Sequence, residues 1–305
     1  MTRTITYTAF ALIAFAFNSI LCRLALRGEE ADAAGFTVVR LVAGAVTLIV
    51  FSYVVSSGRN LSGSEGALSD DPLSGTLPTG RVSAFKLRGS WPSAFFLFAY
   101  AICFSFAYLG LTAGTGALIL FGSVQMTMIA VAIFRGERPP VLEWLGLAVA
   151  VSGLVYLVFP GLESPPLNSS LLMAAAGASW GFYTLRGKGS TDPLGDTAGN
   201  FVRSIPMIAI AAIPFLSKIQ LSNRGITLAV LSGAVTSGIG YTVWYAALKF
   251  HTSTRAAVLQ LAVPVIAATA GVLLLDEAAT FRLGIAAALI LGGIMLTILG
   301  RGRST

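Results

Sequence analysis

The sequence predicts an all-α, polytopic membrane protein of ten transmembrane helices in two inverted five-helix repeats. The first supporting observation is composition, since 55% of the 305 residues are hydrophobic and only 11% are charged. Soluble domains carry about a quarter of their residues as Asp, Glu, Lys and Arg. A soluble enzyme or a disordered chain is therefore excluded. The other two observations are a series of apolar windows and a weak internal repeat.

Ten apolar windows are long enough for membrane helices, because a bilayer core about 30 Å thick takes about 20 residues of helix. The first five cover approximately residues 4–26, 34–56, 93–111, 113–134 and 142–159. The second five cover approximately residues 169–185, 196–216, 225–250, 253–275 and 281–299. Segment 57–90 is rich in Gly, Ser, Pro and charge, which predicts a disordered loop. We expect a first domain at 1–160, which contains this loop, and a second at 161–305.

The basic residues lie between the windows rather than on one amphipathic face, which indicates a positive-inside signal and no nucleic-acid partner. With ten spans, the loops alternate between two sides, and most lysines and arginines are on the side of the two termini. This predicts that both termini and the 57–90 loop are cytoplasmic. Cys22 and Cys103 lie in apolar segments and show no metal-ligand spacing. We expect no metal and no cofactor.

The two halves of the chain match weakly but in the same order. At one constant offset, Arg23 aligns with Arg186 and Arg40 aligns with Arg203. Because each repeat holds five spans, an odd number, the second copy enters the membrane from the opposite face. Inverted repeats place a binding site near the bilayer midplane and expose it alternately to each side. The repeat therefore predicts a transporter.

These features resemble the drug/metabolite transporter superfamily, and specifically its EamA-like exporters. The resemblance is carried by the Arg40 and Arg203 positions, the Trp180-Gly181 pair and the stretch from 240 to 277. It implies a bacterial inner-membrane exporter, embedded in the lipid bilayer, and we expect a monomer. A narrower similarity is to the YddG-like exporters of aromatic amino acids. Departures from the family pattern, such as Asn18 where the first repeat often has Gly, leave the substrate open.

Aromatic and amide residues inside the windows are the candidate substrate-binding residues. Ser237, Tyr241 and Trp244 recur at helical spacing and form one stripe, and aromatic rings give a large contact area with a polar handle. An unpartnered amide is expensive in a bilayer core, so each faces a neighbouring helix or a wet cavity. The candidate set is Asn18, Tyr100, Gln125, Trp180, Tyr183, Ser237, Tyr241, Trp244 and Gln260. For any single aromatic, ordinary packing or interface anchoring stays open. Pro264 is the candidate gate or helix kink, or else a static bend.

We expect an exporter of small amphiphilic metabolites, with amino acids, aromatic or otherwise neutral, as the small-molecule substrate. No Asp or Glu lies in the middle third of a window, which favours a facilitator over carboxylate-based proton coupling. Coupling through His251 or through substrate charge stays open. Arg40 and Arg203 could bind a substrate carboxylate, but both lie near window ends. We expect them to reach the headgroups or to bond helix-end carbonyls.

Two other functions are alternatives to this one. A drug carrier or a carrier of sugars or nucleotide sugars would belong to the same superfamily. Binding of phosphorylated substrates requires paired basic residues at the midplane, which the sequence lacks. An intramembrane enzyme is a different class. One histidine, no Gly-x-Ser-x-Gly run and no metal-ligand spacing argue against it, so we expect no enzyme activity.

Overall fold

The computed structural model describes residues 2–67, 88–134, 136, 140–159, 161, 164–248, 250–251 and 259–301. These residues are almost entirely helical, and within them the only β-type pairing is an isolated antiparallel bridge between Ala31 and Leu221. The helices, numbered in chain order, are α1 (Thr2–Arg27), α2 (Ala33–Ala67), α3 (Trp91–Ala107), α4 (Ala113–Phe134), α5 (Val141–Val158), α6 (Leu167–Gly187), α7 (Pro193–Ala212), α8 (Asn223–Leu248), α9 (Ala262–Leu275) and α10 (Phe281–Arg301). A 3₁₀ turn, Ile213–Lys218, extends α7, and the middle of α8, Ser232–Ile239, is π-helical.

Most of these helices are apolar enough for a bilayer. Five have the length and hydropathy to cross a membrane: Thr4–Arg27, Ala33–Val55, Ala113–Phe134, Pro193–Lys218 and Asn223–Leu248. Four shorter apolar helices are Trp91–Ala107, Trp144–Val158, Ala262–Leu275 and Phe281–Thr297. The remaining helix, α6, begins with Leu167-Asn168-Ser169-Ser170 and carries Arg186 in its last turn. The predicted class of all-helical membrane protein is confirmed, whereas ten membrane crossings stay a prediction.

The segment expected to be a disordered loop is helical at its start. Helix α2 is continuous to Ala67, because extending an existing helix needs no new nucleation. The end of the segment is also ordered, since Gly89 N donates to Asp196 Oδ1 at 3.0 Å and Ser90 N donates to Asn200 Oδ1 at 2.9 Å. Residues 68–87 lie outside the described part of the chain.

Polar residues mark several helix ends. Ser90 caps α3 by accepting a hydrogen bond from Ser93 N at 3.3 Å, and Asp192 caps α7 by accepting from Gly195 N at 3.1 Å. Such bonds satisfy N–H groups that the first turn of a helix leaves free. Helix α9 ends at Leu275, and the next residue, Asp276, caps it in the left-handed conformation with a φ of 51°. These caps limit the helices to lengths that keep their polar ends at the ends of the bundle.

The described connections between helices lie at two ends of the bundle. At the N-terminal end, where α1 begins, Thr8 Oγ1 lies 2.8 Å from Nε2 of His251, which follows α8. At the opposite end, Ala31 after α1 pairs with Leu221 before α8. Consecutive helices therefore run back and forth between the same two ends.

The helices exchange partners between the two halves of the chain. Helix α6 packs against α3 and α4, and the corresponding helix of the first half, α1, packs against α8 and α9. Helices α2 and α7 pair with each other, as do α5 and α10. We call α3, α4 and α6 the first helix group and α1, α8 and α9 the second. Each helix of one group has its counterpart in the other group five helices away along the chain, as α3 and α8, α4 and α9, and α1 and α6.

Candidate functional site

Four aromatic rings meet where the two helix groups face each other. Trp180 of α6 lies 4.5 Å from Tyr241 of α8 and 5.0 Å from Tyr100 of α3, measured between ring centroids. Phe15 of α1 completes the cluster at 5.8 Å from Tyr241. All four rings are buried, with 2–6% of their surface exposed. The sequence predicted three of these four as substrate-binding residues, and helix packing brings them together.

Asn18 joins the two groups through hydrogen bonds. Its Nδ2 donates to the Tyr100 hydroxyl at 3.0 Å. Its Oδ1 accepts from Ser232 Oγ at 2.6 Å and from Thr236 Oγ1 at 3.1 Å. The amide is 3% exposed, so its partners offset the cost of placing it in an apolar interior. The sequence left open whether Asn18 bonds a neighbouring helix or lines a cavity. It does both, because it also lines a small cavity.

The π-helical segment of α8 presents polar side chains to α1 and α2. Ser232 and Thr236 reach Asn18, and Ser237 Oγ accepts from Arg40 Nε at 3.2 Å. A π-helical turn widens the helix and changes the register of side chains, and such segments occur often at functional sites. Ser237 in this segment and Tyr241, four residues later in the regular helix, both reach the side chain of Arg40.

Arg40 lies inside the bundle rather than at its surface. Its side chain is 1% exposed, and Nη2 donates to the hydroxyls of Tyr100 at 3.1 Å and Tyr241 at 3.2 Å. Its guanidinium carbon is 4.9 Å from the Phe104 ring centroid. The expectation that Arg40 reaches headgroups or helix ends is therefore wrong. The close approach of α2 to α8, where a Cβ on Gly233 would lie 2.0 Å from Arg40 O, holds this part of α2 in the interior.

Arg203, the repeat partner of Arg40, behaves as expected. Its Nη1 donates to the backbone oxygens of Gly199, at 2.9 Å, and of Arg88. Both acceptors lie at the N-terminal end of α7 or in the connection before α3. The two aligned arginines therefore have different roles, and the repeat did not predict which one is central.

A small closed cavity, the chamber, lies inside the aromatic cluster. It is lined by Phe15, Asn18, Tyr100, Phe104, Leu120, Phe121, Trp180 and Tyr241. Its volume is about 10 Å³, close to the minimum of about 10–15 Å³ that holds one water molecule. The chamber is therefore closed in this conformation, and a larger occupant requires its two walls to separate.

A larger cavity, the vestibule, opens toward the N-terminal end. Its volume is about 230 Å³, and its lining includes Ser93, Tyr183, Arg186, Asn200 and Tyr245. The ring of Tyr183, in the vestibule lining, lies 5.4 Å from that of Trp180, between centroids. Trp180 lines the chamber, so the contact between these two rings joins the linings of the two cavities.

The other predicted residues fall at different places. Trp244 is 1% exposed and packs on Phe15, with ring centroids 5.7 Å apart, so it supports the cluster from behind. Gln125 and Gln260 are each 5% exposed, and neither lines the chamber or the vestibule. The helical run is interrupted at Leu261, next to the carbonyl that Pro264 cannot bond.

Several chamber residues were missed by sequence reasoning. Phe15, Phe104, Leu120 and Phe121 line the cavity, but their residue types do not distinguish a cavity wall from ordinary packing. Arg40 had a usable signal, because it is a charge within the apolar helix α2. Distance from the window end was the wrong criterion, since the position of α2 among its neighbours decides the exposure.

Comparisons with known proteins agree with this architecture. Residues 167–299 match the EamA-like transporter family. A protein of Escherichia coli K12 described as a probable amino-acid metabolite efflux pump is 26% identical over 216 residues, which cover 66% of this chain and 72% of that one. The chain belongs to the EamA-like transporter family. The resemblance to this family within the drug/metabolite transporter superfamily is thereby confirmed, and the YddG-like subtype stays a prediction.

Two further likenesses extend along nearly the whole EamA-like chain. An uncharacterized protein of Pseudomonas aeruginosa is 42% identical over 299 residues, covering 98% of this chain and 96% of the relative. A crystal structure superimposes with a TM-score of 0.62 over 99% of both chains at 19% identity, which shows the shared fold alone. This EamA-like protein is a membrane transporter, so its partners include a small-molecule substrate and the surrounding lipid.

Proposed function

We propose that this transporter exports small amphiphilic metabolites, with neutral amino acids, including aromatic ones, as the main substrate class. The observation that carries the proposal is the position of the chamber. Tyr100, Phe104 and Trp180 belong to the first helix group, whereas Phe15, Asn18 and Tyr241 belong to the second. A site divided in this way opens or closes when the two groups move relative to each other.

The chemistry of the chamber walls fits an amphiphilic solute. Phe15, Phe104 and Trp180 provide apolar and aromatic surface, and Tyr100 and Asn18 add polar groups at one side. Ligand sites commonly combine a mostly apolar lining with a few placed polar groups. The printed description of the E. coli relative as a probable amino-acid metabolite efflux pump supports the same substrate class.

Alternating access follows from the partner exchange between helices. The first and second groups are related by a shift of five helices, as expected for two inverted five-helix repeats at 1–160 and 161–305. In such a protein, the moving bodies are the mixed groups and not the two sequence halves, because each group takes one helix from the other half. We propose a monomer as the transport unit.

The chamber also supports transport without carboxylate-based proton coupling. Its described lining contains no Asp or Glu, whereas proton relays in membranes generally use an ionisable group at depth. His251 bonds Thr8 at the N-terminal end, away from the aromatic cluster. We therefore propose a facilitator. The distribution of basic loop residues supports a cytoplasmic position of the vestibule and both termini in a bacterial inner membrane, where an exporter loads its substrate.

Flux measurements in proteoliposomes test this function. Labelled L-phenylalanine and L-leucine should enter liposomes that contain the protein faster than empty liposomes. Trp180→Ala should lower this flux at least tenfold, because Trp180 is a chamber wall and packs against Tyr183 of the vestibule lining. Trp144→Ala is the matched control, since Trp144 is 49% exposed on α5, and it should leave the flux within twofold. Equal flux into protein-containing and protein-free liposomes would refute the proposed function.

A further inference from the structure

The guanidinium of Arg40 has an unusual electrostatic environment. It is almost completely buried, yet both ion pairs in the described residues lie elsewhere, between Arg23 and Glu277 and between Arg224 and Glu30. Its described partners are hydroxyl groups and aromatic rings, all uncharged. A buried charge without a counter-charge costs several kcal/mol. Charged side chains at this depth generally belong to functional sites.

Among the described residues, one nitrogen of Arg40 has no hydrogen-bond partner. Nε and Nη2 donate to hydroxyl groups, whereas Nη1 is buried and has no hydrogen-bond partner among the described residues. The guanidinium group carries five N–H donors and no acceptor. Two of its donors, both on Nη1, are therefore free for a ligand.

The surrounding network also has too few acceptors. The Tyr100 hydroxyl oxygen lies within hydrogen-bond distance of three donor groups: Asn18 Nδ2, Arg40 Nη2 and Tyr241 OH. A hydroxyl oxygen has two lone pairs and one hydrogen of its own to place. The group that this arrangement lacks is a strong acceptor with negative charge, and a carboxylate offers two oxygens with about four acceptor positions.

We propose that Arg40 binds the carboxylate of the transported solute, with Tyr100 and Tyr241 as its hydroxyl partners, and that the substrates are therefore apolar or aromatic monocarboxylates. This inference rests on the proposed function and narrows its substrate class. The apolar part of the solute lies against Phe15, Phe104 and Trp180. Because Arg40 lies directly behind Tyr100 and Tyr241, separation of the chamber walls brings the carboxylate to Nη1.

The site offers different partners to the two charges of an amino acid. The carboxylate has a cationic partner, whereas the described chamber lining offers the ammonium group only ring faces and neutral polar groups. A cation–π contact in such a place is weaker than a charge-assisted hydrogen bond. A carboxylate without an amine should therefore bind, and an amine without a carboxylate should be repelled by Arg40.

Binding in detergent tests the proposal independently of transport. Isothermal titration would compare L-phenylalanine, 3-phenylpropionate and L-phenylalaninamide as probes of the purified full-length protein. We expect saturable binding of both carboxylates and at least tenfold weaker binding of the amide, the size expected for a charge-assisted hydrogen bond. Arg40→Gln should reduce this preference to less than about twofold, and Arg40→Lys should keep part of it.

Arg203→Gln is the matched control, because the aligned arginine bonds backbone carbonyls at the N-terminal end. It should keep the full preference for carboxylates. Equal affinity of the wild-type protein for acid and amide, or no binding of any probe, would overturn the proposal without the use of a variant. Carboxylate-dependent binding without flux in liposomes would support the Arg40 site and contradict the proposed function. Flux of L-phenylalanine that is insensitive to Arg40→Gln would support the proposed function and contradict the Arg40 site.

Discussion

Arg23 of α1 and Glu277 after α9 form an ion pair at the end of the bundle opposite the vestibule, with Arg23 Nε and Glu277 Oε1 3.3 Å apart. Both residues belong to the second helix group, but each also binds the connection that joins α3 to α4. Arg23 Nη1 donates to Tyr108 O at 3.0 Å, and Glu277 Oε2 accepts from Ala113 N at 2.8 Å. The pair therefore ties the two helix groups together at the end away from the vestibule.

The N-terminal end has a different arrangement around the aligned arginine. Arg186 Nε donates to Ser93 Oγ at 3.1 Å, and both residues belong to the first helix group. Arg186 also lines the vestibule. One end is thus closed by contacts between the groups, and the other contains an open cavity. This asymmetry is what one state of an alternating-access cycle requires.

Removing the charge of Glu277 should loosen the closed end. Glu277→Gln keeps an oxygen for Ala113 N but loses the ion pair. We expect the closed end to be destabilised by about 1–3 kcal/mol. This is less than the loss expected for a fully buried ion pair, because the Arg23 side chain is 17% exposed. The measurement is maleimide labelling of Ile20→Cys, a position that is 1% exposed beside Ala113, with Cys22 and Cys103 replaced by serine. Labelling should accelerate several-fold in the Gln variant.

Glu30→Gln is the control for that experiment. Its partner Arg224 has a side chain that is 68% exposed, and exposed pairs contribute about 0–1 kcal/mol. Labelling of Ile20→Cys should be unchanged in this background. If the two variants accelerate labelling equally, the Arg23–Glu277 pair does not close the opposite end.

The contact between α2 and α8 predicts a large effect of one methyl group. A Cβ on Gly233 would lie 2.0 Å from Arg40 O, so Gly233→Ala must push the helices apart and displace Arg40 from Ser237 and Tyr241. Overpacking of this kind costs about 1–3 kcal/mol. The thermal midpoint in detergent should fall by several degrees, and the preference for carboxylate probes should weaken. Gly292→Ala, with nothing within 4 Å of the added Cβ, should leave both unchanged.

Replacing the amide of Asn18 should destabilise the protein by a different route. Asn18→Leu is similar in size but removes the acceptor of the Ser232 hydroxyl and one donor to Tyr100. The Thr236 hydroxyl also loses Asn18 but keeps Ser232 O as an acceptor. Buried hydroxyls without a partner cost about 1–3 kcal/mol. Thr47→Val, outside this network, serves as a control for loss of a hydroxyl. Unchanged thermal midpoints in detergent for both variants would mean that the network adds little to stability.

The sequence was sufficient for the class of fold and for part of the site. Composition and window length depend on the bilayer, which acts on each helix separately, so the membrane class could be predicted. Trp180, Tyr100 and Tyr241 were found because aromatic rings and helical spacing are visible in the sequence. The buried position of Arg40 could not be predicted, since it depends on α8 crossing α2 at Gly233. That crossing, like the π-helical segment, arises from contacts between distant parts of the chain.

The orientation in the membrane gives the last prediction. Lys188 follows α6 at the N-terminal end and Asn223 begins α8 at the opposite end, and both side chains are exposed. With Cys22 and Cys103 replaced by serine, a membrane-impermeant maleimide added to bacteria with a permeabilised outer membrane should label Asn223→Cys. It should label Lys188→Cys only after lysis, because the basic loops are expected in the cytoplasm. The reverse pattern would invert the proposed orientation and place the vestibule outside. Labelling of both positions in intact cells would contradict the two-ended arrangement of the bundle itself.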